Sequence, residues 1–296
     1  MDRQATFVVA VSGGIDSMVL LDMISHPDRA HNISLPKSAR YVAAHVDHGI
    51  RQDSSSDAQF VASVAQSLGY TYESIELSLG EGTAEETARG HRLEWLTELR
   101  EKYQAEALIT AHHQDDVFET IMINLVRGTS WRGLSSLRQH DRVLRPLLGV
   151  SKAEIIRYAI DHHIEWREDE TNQDVRYLRN YLRYLAVPRL LPEQRKKLWD
   201  LYKTQCRINH DTQDLIESVM QYAVLGREIN RYFLSMIDRS VAHEILRQWC
   251  GYALTEDMAN RLWLFVLTAQ PGKRLLQNGD IFVATRKGVI VSSSDI

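Results

Sequence analysis

The chain has 296 residues, which is long enough for one large domain or two smaller ones. Hydrophobic residues make up 44% and charged residues 25%, as in ordinary globular proteins, and the net charge of −4 does not by itself indicate a nucleic-acid partner. No apolar run could span a bilayer and no signal peptide precedes the first strand, so we expect a cytoplasmic protein without a membrane partner. The two cysteines, Cys206 and Cys250, lie far apart in the sequence and indicate neither a disulfide framework nor a zinc knuckle.

The first half of the chain alternates short apolar runs with segments of helical periodicity. This order of strands and helices predicts an α/β fold, a doubly wound parallel sheet with helices on both faces. Ligands of such sheets bind at the carboxyl ends of the strands. The predicted strands are Phe7–Val11, Tyr41–Val46, Tyr72–Leu77 and Ala107–Thr110, and the predicted helices are Ile15–Ser25, Asp53–Leu68, Ala84–Tyr103 and Asp115–Arg127.

The second half is predicted to be mainly helical. A loop-like segment, Gly128–Leu148, precedes a helix whose start is indicated by Ser151 and Glu154, the two polar members of a capping box. Helical periodicity continues to about residue 269, and short strands with a turn at Asn278-Gly279 end the chain. We therefore predict two domains, residues 1–187 with the parallel sheet, and residues 188–296 with helices and a C-terminal β-hairpin.

A glycine turn follows the first predicted strand and opens the first predicted helix. Two adjacent glycines allow a ligand to approach the backbone closely, and the amides at a helix N-terminus attract an anion. The turn lacks the lysine of the kinase-type phosphate loop and the glycine spacing of the dinucleotide fingerprint. We interpret it as a phosphate site, with an ordinary strand-to-helix turn as the alternative. The residues of this site are Ser12, Gly13, Gly14, Ile15, Asp16 and Ser17.

Two clusters of histidine and aspartate lie at the ends of predicted strands. The first is His45–His48, which contains the candidate catalytic residue Asp47, and the second is His112–Asp116. Histidine and carboxylate suit a metal site, whereas capping carboxylates with hydrogen-bonded histidines are the structural alternative. Because a phosphate loop lies nearby, we favour a third interpretation, an ATP site in which the phosphates and one carboxylate, Asp16, hold Mg²⁺.

The helix after the fourth predicted strand carries two carboxylates on one face. Asp116 and Glu119 are three residues apart, whereas Asp115 points to another side. Beside a phosphate site such a pair suits a cationic substrate, and solvated surface charge is the alternative. On the preceding helix, Arg89 and Arg92 are candidates to neutralise the phosphates of ATP, with exposed surface arginines as the alternative.

A strongly basic stretch lies within this acidic chain. Residues 176–207 contain nine lysines and arginines against Glu193 and Asp200, and tyrosines and a tryptophan interleave with them. Basic groups neutralise phosphates and aromatic rings stack on exposed bases, so the stretch predicts an RNA-binding surface. A solvated helix face with its aromatic residues in the core is the alternative. The candidate RNA-binding residues, including two from the preceding loop, are Arg127, Arg132, Arg176, Arg179, Arg195, Lys196 and Lys197.

Together these motifs resemble the tRNA(Ile)-lysidine synthase family of PP-loop ATP pyrophosphatases. The resemblance covers the chain from Phe7 to Arg183, with a weaker similarity in the tail. Several motifs in the family's order are more specific than one glycine loop. They are SGGIDS at Ser12–Ser17, AHVDHGIR at Ala44–Arg51, GTAEETARGHR at Gly82–Arg92, TAHHQDDVFET at Thr110–Thr120, RGTSWRGL at Arg127–Leu134, RPLL at Arg145–Leu148 and DETNQDVRYLRNYLR at Asp169–Arg183.

The resemblance implies an enzyme that adenylates the wobble cytidine of an isoleucine tRNA with a CAU anticodon, after which free L-lysine displaces AMP to give lysidine. It places the ATP phosphates at residues 12–17, and Arg92 and His112 along the ATP and the activated intermediate. It assigns lysine binding to Asp116 and Glu119. Because adjacent carboxylates favour a charged ammonium, we assign this pair to capture and orientation. Late proton transfer to one of the two stays open as an alternative, and the sequence does not name a base. Two further residues, Asn172 and Arg183, are expected near the reacting nucleotide.

The resemblance also bears on the partners and leaves alternatives open. Dimers occur in the family, so a homodimer is one expectation. Many members carry an additional C-terminal domain that binds tRNA; this chain ends soon after its helical segment, so we expect the basic helical region to hold more of the tRNA. A PP-loop tRNA thiolase, which needs cysteines in its catalytic region, and a PP-loop amide-forming synthetase are alternatives. An RNA-binding module without catalytic activity is the third.

Overall fold

The structure is a computed structural model, which describes residues 4–29, 39–47, 54–77, 85–129, 131–138, 142–167, 177–251 and 254–292. Its contacts divide the chain into two compact units, Met1–Cys206 and Arg207–Ile296. None of the helices in the described ranges is both long and apolar enough to cross a membrane.

The first unit is built on a five-stranded parallel sheet. Its strands are β1 (Thr6–Ala10), β2 (Arg40–Asp47), β3 (Thr71–Glu76), β4 (Ala107–Ile109) and β5 (Val143–Leu144). Their order, β3-β2-β1-β4-β5, changes direction between β1 and β4, and open α/β sheets bind ligands at such a point. The predicted parallel sheet and its four strands are confirmed. The fifth strand lies in the segment predicted as a loop, because two residues are too few to show a period.

Helices cover both faces of this sheet, as predicted. They are α1 (Ile15–Ser25), α2 (Ser54–Ser67), α3 (Glu85–Lys102), α4 (Gln114–Val126), α5 (Lys152–Asp161) and the short α6 (Leu178–Tyr181). Alternate residues of β1 point to opposite faces. Phe7 and Val9 belong to the core that includes α1, α2 and α5, whereas Val8 packs with Leu96 and Leu99 of α3. The predicted capping box is confirmed, since Ser151 accepts a hydrogen bond from the backbone of Glu154.

Within the first unit, a helical segment precedes α7 (Pro192–Ala223). It comprises α6, a π-helical turn at Leu182–Ala186 and a 3₁₀ turn at Val187–Arg189. In a separate core cluster, Val187 and Tyr202 pack with Phe118 of α4. The division between the units therefore falls at residue 206, inside α7, whereas the sequence boundary stands at residue 187. The first turns of α7 have apolar residues that pack on α4, which the helical periodicity alone does not indicate.

The second unit combines helices with a five-stranded antiparallel sheet. After α7 come β6 (Val224–Leu225), β7 (Glu228–Asn230), α8 (Arg231–Ser235), α9 (Arg239–Cys250), α10 (Glu256–Thr268), β8 (Arg274–Gln277), β9 (Asp280–Ala284) and β10 (Gly288–Ser292). The three tail strands and the turn at Asn278-Gly279 are confirmed. The prediction that this part is mainly helical is confirmed, but it does not include β6 and β7. These two strands form a hairpin around Gly226, whose φ of 66° favours glycine.

Candidate active site

The glycine loop lies between β1 and α1, at the carboxyl end of the central strand. Gly13 has a φ of 87°, and a Cβ there would lie 3.2 Å from Val61, so only glycine suits this position. Ser17 donates its hydroxyl to the Gly14 carbonyl at 2.9 Å. Gly14 begins α1 without a side-chain cap, so the first amides of α1 are available to an anion, as a phosphate site requires.

Neighbouring backbone and imidazole groups hold this loop in place. The buried His45 of β2 forms a hydrogen bond of 2.9 Å from Nδ1 to the Val11 carbonyl, just before the loop. The amide of Arg167 donates to the Gly13 carbonyl at 3.0 Å. His45 therefore holds the backbone at the residue before the loop. This contact agrees with the structural alternative for the first cluster, in which the histidine is a hydrogen-bonded group.

One imidazole ring connects the loop to the predicted acidic pair. His113 Nε2 lies 3.6 Å from Asp16 Oδ1 and 3.5 Å from Asp116 Oδ2. The same residue begins α4: the His113 amide donates to Asp116, and its Nδ1 accepts from the Asp115 amide. Asp16 of the phosphate loop and Asp116 of α4 thus both lie within 3.6 Å of one imidazole nitrogen.

The acidic pair holds a cation supplied by the protein itself. Arg183 Nε donates to Glu119 Oε1 at 2.8 Å, and its Nη2 donates to Glu119 Oε2 at 2.9 Å and to Asp116 Oδ1 at 3.0 Å. Asp116 and Glu119 therefore do point to one place, as their spacing predicts. Arg183 comes from the π-helical turn after α6, and its arrival at this pair is a feature that its sequence motif does not indicate.

The two carboxylates differ in their tendency to hold a proton. Burial raises the pKa of Glu119, and the opposing effect of Arg183 is smaller. Burial also acts to raise the pKa of Asp116, but the neighbouring histidines, the His113 amide and Arg183 together hold that pKa below its ordinary value. Although burial disfavours the guanidinium charge, Glu119 and Asp116 keep the pKa of Arg183 above its usual range. Of the two carboxylates, Glu119 is the stronger base.

His112 lies at the edge of this site as a neutral imidazole. Burial lowers the pKa of His112 to about 4, against the raising effect of Asp116, and the charges of three nearby arginines lower it further. The Thr110 hydroxyl lies 2.8 Å from His112 Nδ1, which orients the ring. The arginines that act on His112 include both predicted phosphate-binding candidates and are Arg145, Arg89 and Arg92.

Asp115 serves another purpose, as its position on the helix predicts. Arg195 of α7 donates from Nη1 and Nη2 to the two Asp115 oxygens at 2.9 and 3.1 Å, and its Nη2 donates to the Val187 carbonyl. Only 24% of the Arg195 side chain is exposed. The expected tRNA contact at Arg195 needs correction, because its guanidinium joins α7 to α4, whereas Lys196 and Lys197 are exposed.

The remaining predicted residues lie in several places. Asp47 ends β2, and its charge raises the pKa of Tyr72 on β3 after the larger effect of burial. Arg127 is exposed, whereas Arg132 and Arg179 are half-buried. Asn172 and Arg176 lie outside the described residues, so their predicted roles remain predictions.

The aromatic residues of the basic stretch fall into two groups. Tyr177, Tyr181 and Tyr184 are exposed along the segment that carries Arg183. Trp199 and Tyr202 stack on each other with ring centroids 5.1 Å apart, and Tyr202 is buried. Both sequence interpretations therefore apply, since one group is free to stack on bases and the other is core.

A lysine that the sequence analysis does not single out contacts the loop. Lys152 Nζ lies 2.5 Å from Asp16 Oδ1. Two signals point to it: the glycine loop has no lysine of its own, and a lysine directly follows the helix cap Ser151. Within the described ranges, no group of three or more His, Cys, Asp or Glu side chains could hold a metal ion. A single loop carboxylate, Asp16, fits an ion held mainly by phosphates.

Comparison with known proteins gives a consistent result. Residues 2–190 match the model of the PP-loop domain family. The tRNA(Ile)-lysidine synthase of Thermotoga sp. (strain RQ2) is 33% identical over 233 residues, 76% of this chain and 54% of that protein. The synthase of Wolbachia pipientis wMel is 30% identical over 298 residues, 97% of this chain and 65% of that protein. The chain thus spans about half to two thirds of the length of these curated relatives.

Solved structures support the fold. The U34-tRNA thiolase NcsA from Methanococcus maripaludis, solved with its [4Fe-4S] cluster, aligns with a TM-score of 0.56 over 70% of this chain and 73% of that chain. Sequence identity in this alignment is 16%, so the similarity concerns the fold alone.

Proposed function

The chain belongs to the PP-loop domain family, and we propose that it forms lysidine in an isoleucine tRNA with a CAU anticodon. In the first step, O2 of the wobble cytidine bonds to the α-phosphorus of ATP. The bond from that phosphorus to its bridging oxygen breaks, and pyrophosphate leaves with the electron pair. In the second step, the amine of free lysine bonds to C2 of the cytidine. AMP leaves with O2 and its electron pair, and the amine loses a proton.

The acidic pair beside the phosphate loop is the observation that carries this proposal. A phosphate site is needed for adenylation, but many PP-loop enzymes need one, so the site does not identify the second substrate. Asp116 and Glu119 add a site for a cation, and Arg183 already occupies it at hydrogen-bond distance. Since His113 Nε2 lies within 3.6 Å of both Asp16 and Asp116, an amine at the acidic pair would be close to the phosphate loop.

For the first step, we assign the ATP phosphates to the loop residues 12–17. The uncapped amides of α1 would stabilise the charge that develops on the phosphates, with Arg92 and Arg89 as further cations. Neutral His112 adds no positive charge, so we assign it to hydrogen bonding along the nucleotide. Mg²⁺, held by the phosphates and Asp16, would neutralise part of the phosphate charge when bound.

For the second step, we propose that lysine takes the position that Arg183 occupies at the acidic pair. Its side-chain ammonium would be held by Asp116, whose pKa is held low and which therefore stays charged. The same side-chain nitrogen has to lose a proton when it bonds to C2. Because burial raises the pKa of Glu119, this carboxylate is better suited than Asp116 to take that proton. Arg183, once released, would be free to contact the phosphate of the AMP leaving group.

For the RNA, we propose a surface around the segment that carries Arg183. Tyr177, Tyr181 and Tyr184 are exposed there, and an aromatic ring contributes about 1–3 kcal/mol per stacked base. The basic residues proposed to neutralise phosphates, apart from Arg195, are Arg127, Arg132, Arg176, Arg179, Lys196 and Lys197. ATP, lysine and tRNA occur together in the cytoplasm, where we expect the protein to act. The homodimer that occurs in the family remains a prediction.

The second unit also has features that suit RNA. An open cavity of about 650 Å³ has Arg231, Arg286 and Lys287 in its lining, against Glu228. Tyr232 at the same cavity is exposed. This excess of positive charge supports the proposal that the second unit contributes to tRNA binding.

A tRNA thiolase is the competing PP-loop function, and the cysteines argue against it. The sequence has two, Cys206 and Cys250, and both lie on helices after the loop and the acidic pair. Burial raises the pKa of the Cys206 thiol, which disfavours the reactive thiolate. A thiolase needs reactive cysteines at the activated nucleotide, so lysine transfer accounts better for the described residues.

Incorporation of labelled lysine into tRNA tests the proposed function. The purified protein should transfer lysine to an isoleucine tRNA with a CAU anticodon when ATP and Mg²⁺ are present. The same tRNA with a GAU anticodon is the matched control and should stay unlabelled. Transfer that continues without ATP would exclude the mechanism, and thiolation from a sulfur donor in place of lysine transfer would favour the competing function.

A further inference from the structure

The phosphate loop of this protein has no basic residue within it. Kinase-type phosphate loops place a lysine directly after their glycines, where its ammonium contacts the outer phosphates of the nucleotide. Here the residues after Gly14 are Ile15, Asp16 and Ser17. The charge that such a lysine supplies has to come from another part of the chain.

Lys152 brings an ammonium group to this loop from a distant part of the sequence. It is the first residue of α5, 136 residues after Asp16, and its Nζ lies 2.5 Å from Asp16 Oδ1. Asp16 itself lies in the first turn of α1, whose amides lack a side-chain cap. The ammonium of Lys152 is therefore positioned beside the amides that would bind phosphate.

A purely structural role explains this lysine poorly. The side chains of Lys152 and Asp16 are 35% and 31% exposed, and ion pairs with this much solvent contact contribute little to stability. A cation at the first position of a helix also opposes the helix dipole. The capping box of Ser151 and Glu154 already stabilises this end of α5 without Lys152.

We propose that Lys152 binds the β- and γ-phosphates of ATP and supplies the charge that the loop lacks. Without nucleotide, its ammonium pairs with Asp16. When ATP binds, the flexible lysine side chain can exchange the carboxylate for phosphate oxygens, since its charge is compact and its stem has four carbons. This exchange leaves Asp16 free to face the metal ion.

The proposal rests on the proposed adenylation and specifies one of its contacts. As the bond between the α-phosphorus and its bridging oxygen breaks, that oxygen keeps the electron pair and pyrophosphate gains negative charge. An ammonium at the β- and γ-phosphates stabilises this leaving group more than it stabilises bound ATP.

Nucleotide binding by the whole protein, without tRNA or lysine, tests this role. Calorimetric titrations would compare wild type, Lys152→Met and Lys152→Arg with AMP, α,β-methylene-ATP and pyrophosphate. Lys152→Met should weaken the ATP analogue and pyrophosphate about tenfold or more, and should leave AMP within about twofold. Lys152→Arg should retain most of the affinity. Lys102→Met, which removes an exposed lysine paired with Glu73, is the matched control and should bind all three as wild type does.

A second variant keeps the test independent of any loss of folding. In Asp16→Asn, Lys152 no longer has a competing carboxylate, so pyrophosphate with a chelator present should bind at least as tightly as to wild type. Weaker binding there, unchanged analogue affinity in Lys152→Met, or an equal loss of AMP affinity would each overturn the proposal. Lysine transfer that fails while these binding results hold would instead reject the proposed function and leave the role of Lys152 standing.

Discussion

At the scale of single residues, the guanidinium of Arg183 occupies the acidic pair in the way that we propose for the ammonium of lysine. Arg183 shows that Asp116 and Glu119 bind a positive group with hydrogen bonds of 2.8–3.0 Å. A lysine ammonium has to compete with this guanidinium. The competition would keep the pair charged and oriented before the substrate arrives.

Removing the charge of Asp116 tests this site. We expect Asp116→Asn to raise the KM for lysine about tenfold or more, because a charge-assisted hydrogen bond is lost, and to change the KM for ATP little. Steady-state kinetics of lysine transfer measure both values. Asp211→Asn, an exposed position on α7, is the control. Equal increases in the KM for lysine and the KM for ATP would show that Asp116 does not bind lysine specifically.

The lowered pKa of His112 leads to a prediction about stability. Its pKa is about 4 in the folded protein against an ordinary 6.5, so the folded state binds fewer protons between these values. The neutral ring therefore contributes stability above pH 6.5, and this contribution is lost as the pH falls toward 4. Denaturant unfolding at several pH values should give a shallower decrease for His112→Gln than for wild type. Parallel curves for the two proteins would contradict the assignment.

At the scale of secondary structure, the basic start of α7 separates a structural residue from binding residues. Arg195 pairs with Asp115 and the Val187 carbonyl, whereas its neighbours Lys196 and Lys197 are exposed.

Arg195→Ala should lower the free energy of unfolding by about 2 kcal/mol. This loss is smaller than the loss expected on breaking a fully buried ion pair, because the guanidinium is partly exposed. Chemical denaturation measures this value. A loss no larger than that of Lys196→Ala would mean that the pair stabilises nothing.

The two exposed lysines should behave in the opposite way. Replacing Lys196 and Lys197 together with alanine should leave unfolding unchanged and weaken tRNA binding. The slope of log affinity against log salt should become shallower by about 1–2, because two phosphate contacts are lost. Filter binding at several salt concentrations gives this slope. Lys102→Ala, which removes an exposed lysine outside the proposed RNA-binding surface, is the control. An equal effect of that change would show that the loss is not specific to Lys196 and Lys197.

The parallel sheet and the capping box at Ser151 follow from apolar runs and cap chemistry, which act locally. The pair of α7 with Asp115 and the contact of Lys152 with Asp16 join positions far apart in the chain. No period or spacing encodes such contacts, because they arise only when the helices pack. The sequence does not predict the hairpin of β6 and β7, because strands of two and three residues show no period.

At the scale of the whole chain, the first unit has a phosphate loop and an acidic pair that both approach His113, and each unit has basic residues. Lysine could be activated at this site as its own adenylate, as in an amide-forming synthetase, or it could attack an adenylated cytidine. The exposed tyrosines next to Arg183 favour the second order, since they suit bases beside the reacting site.

The fate of the α-phosphate of ATP distinguishes these orders most directly. The protein would be incubated with tRNA and ATP labelled at the α-phosphate, first without lysine. We predict that the label becomes attached to the tRNA, and that added lysine releases it as AMP in amounts equal to the lysine incorporated. Label that never reaches the tRNA, or that appears on lysine instead, would contradict the account.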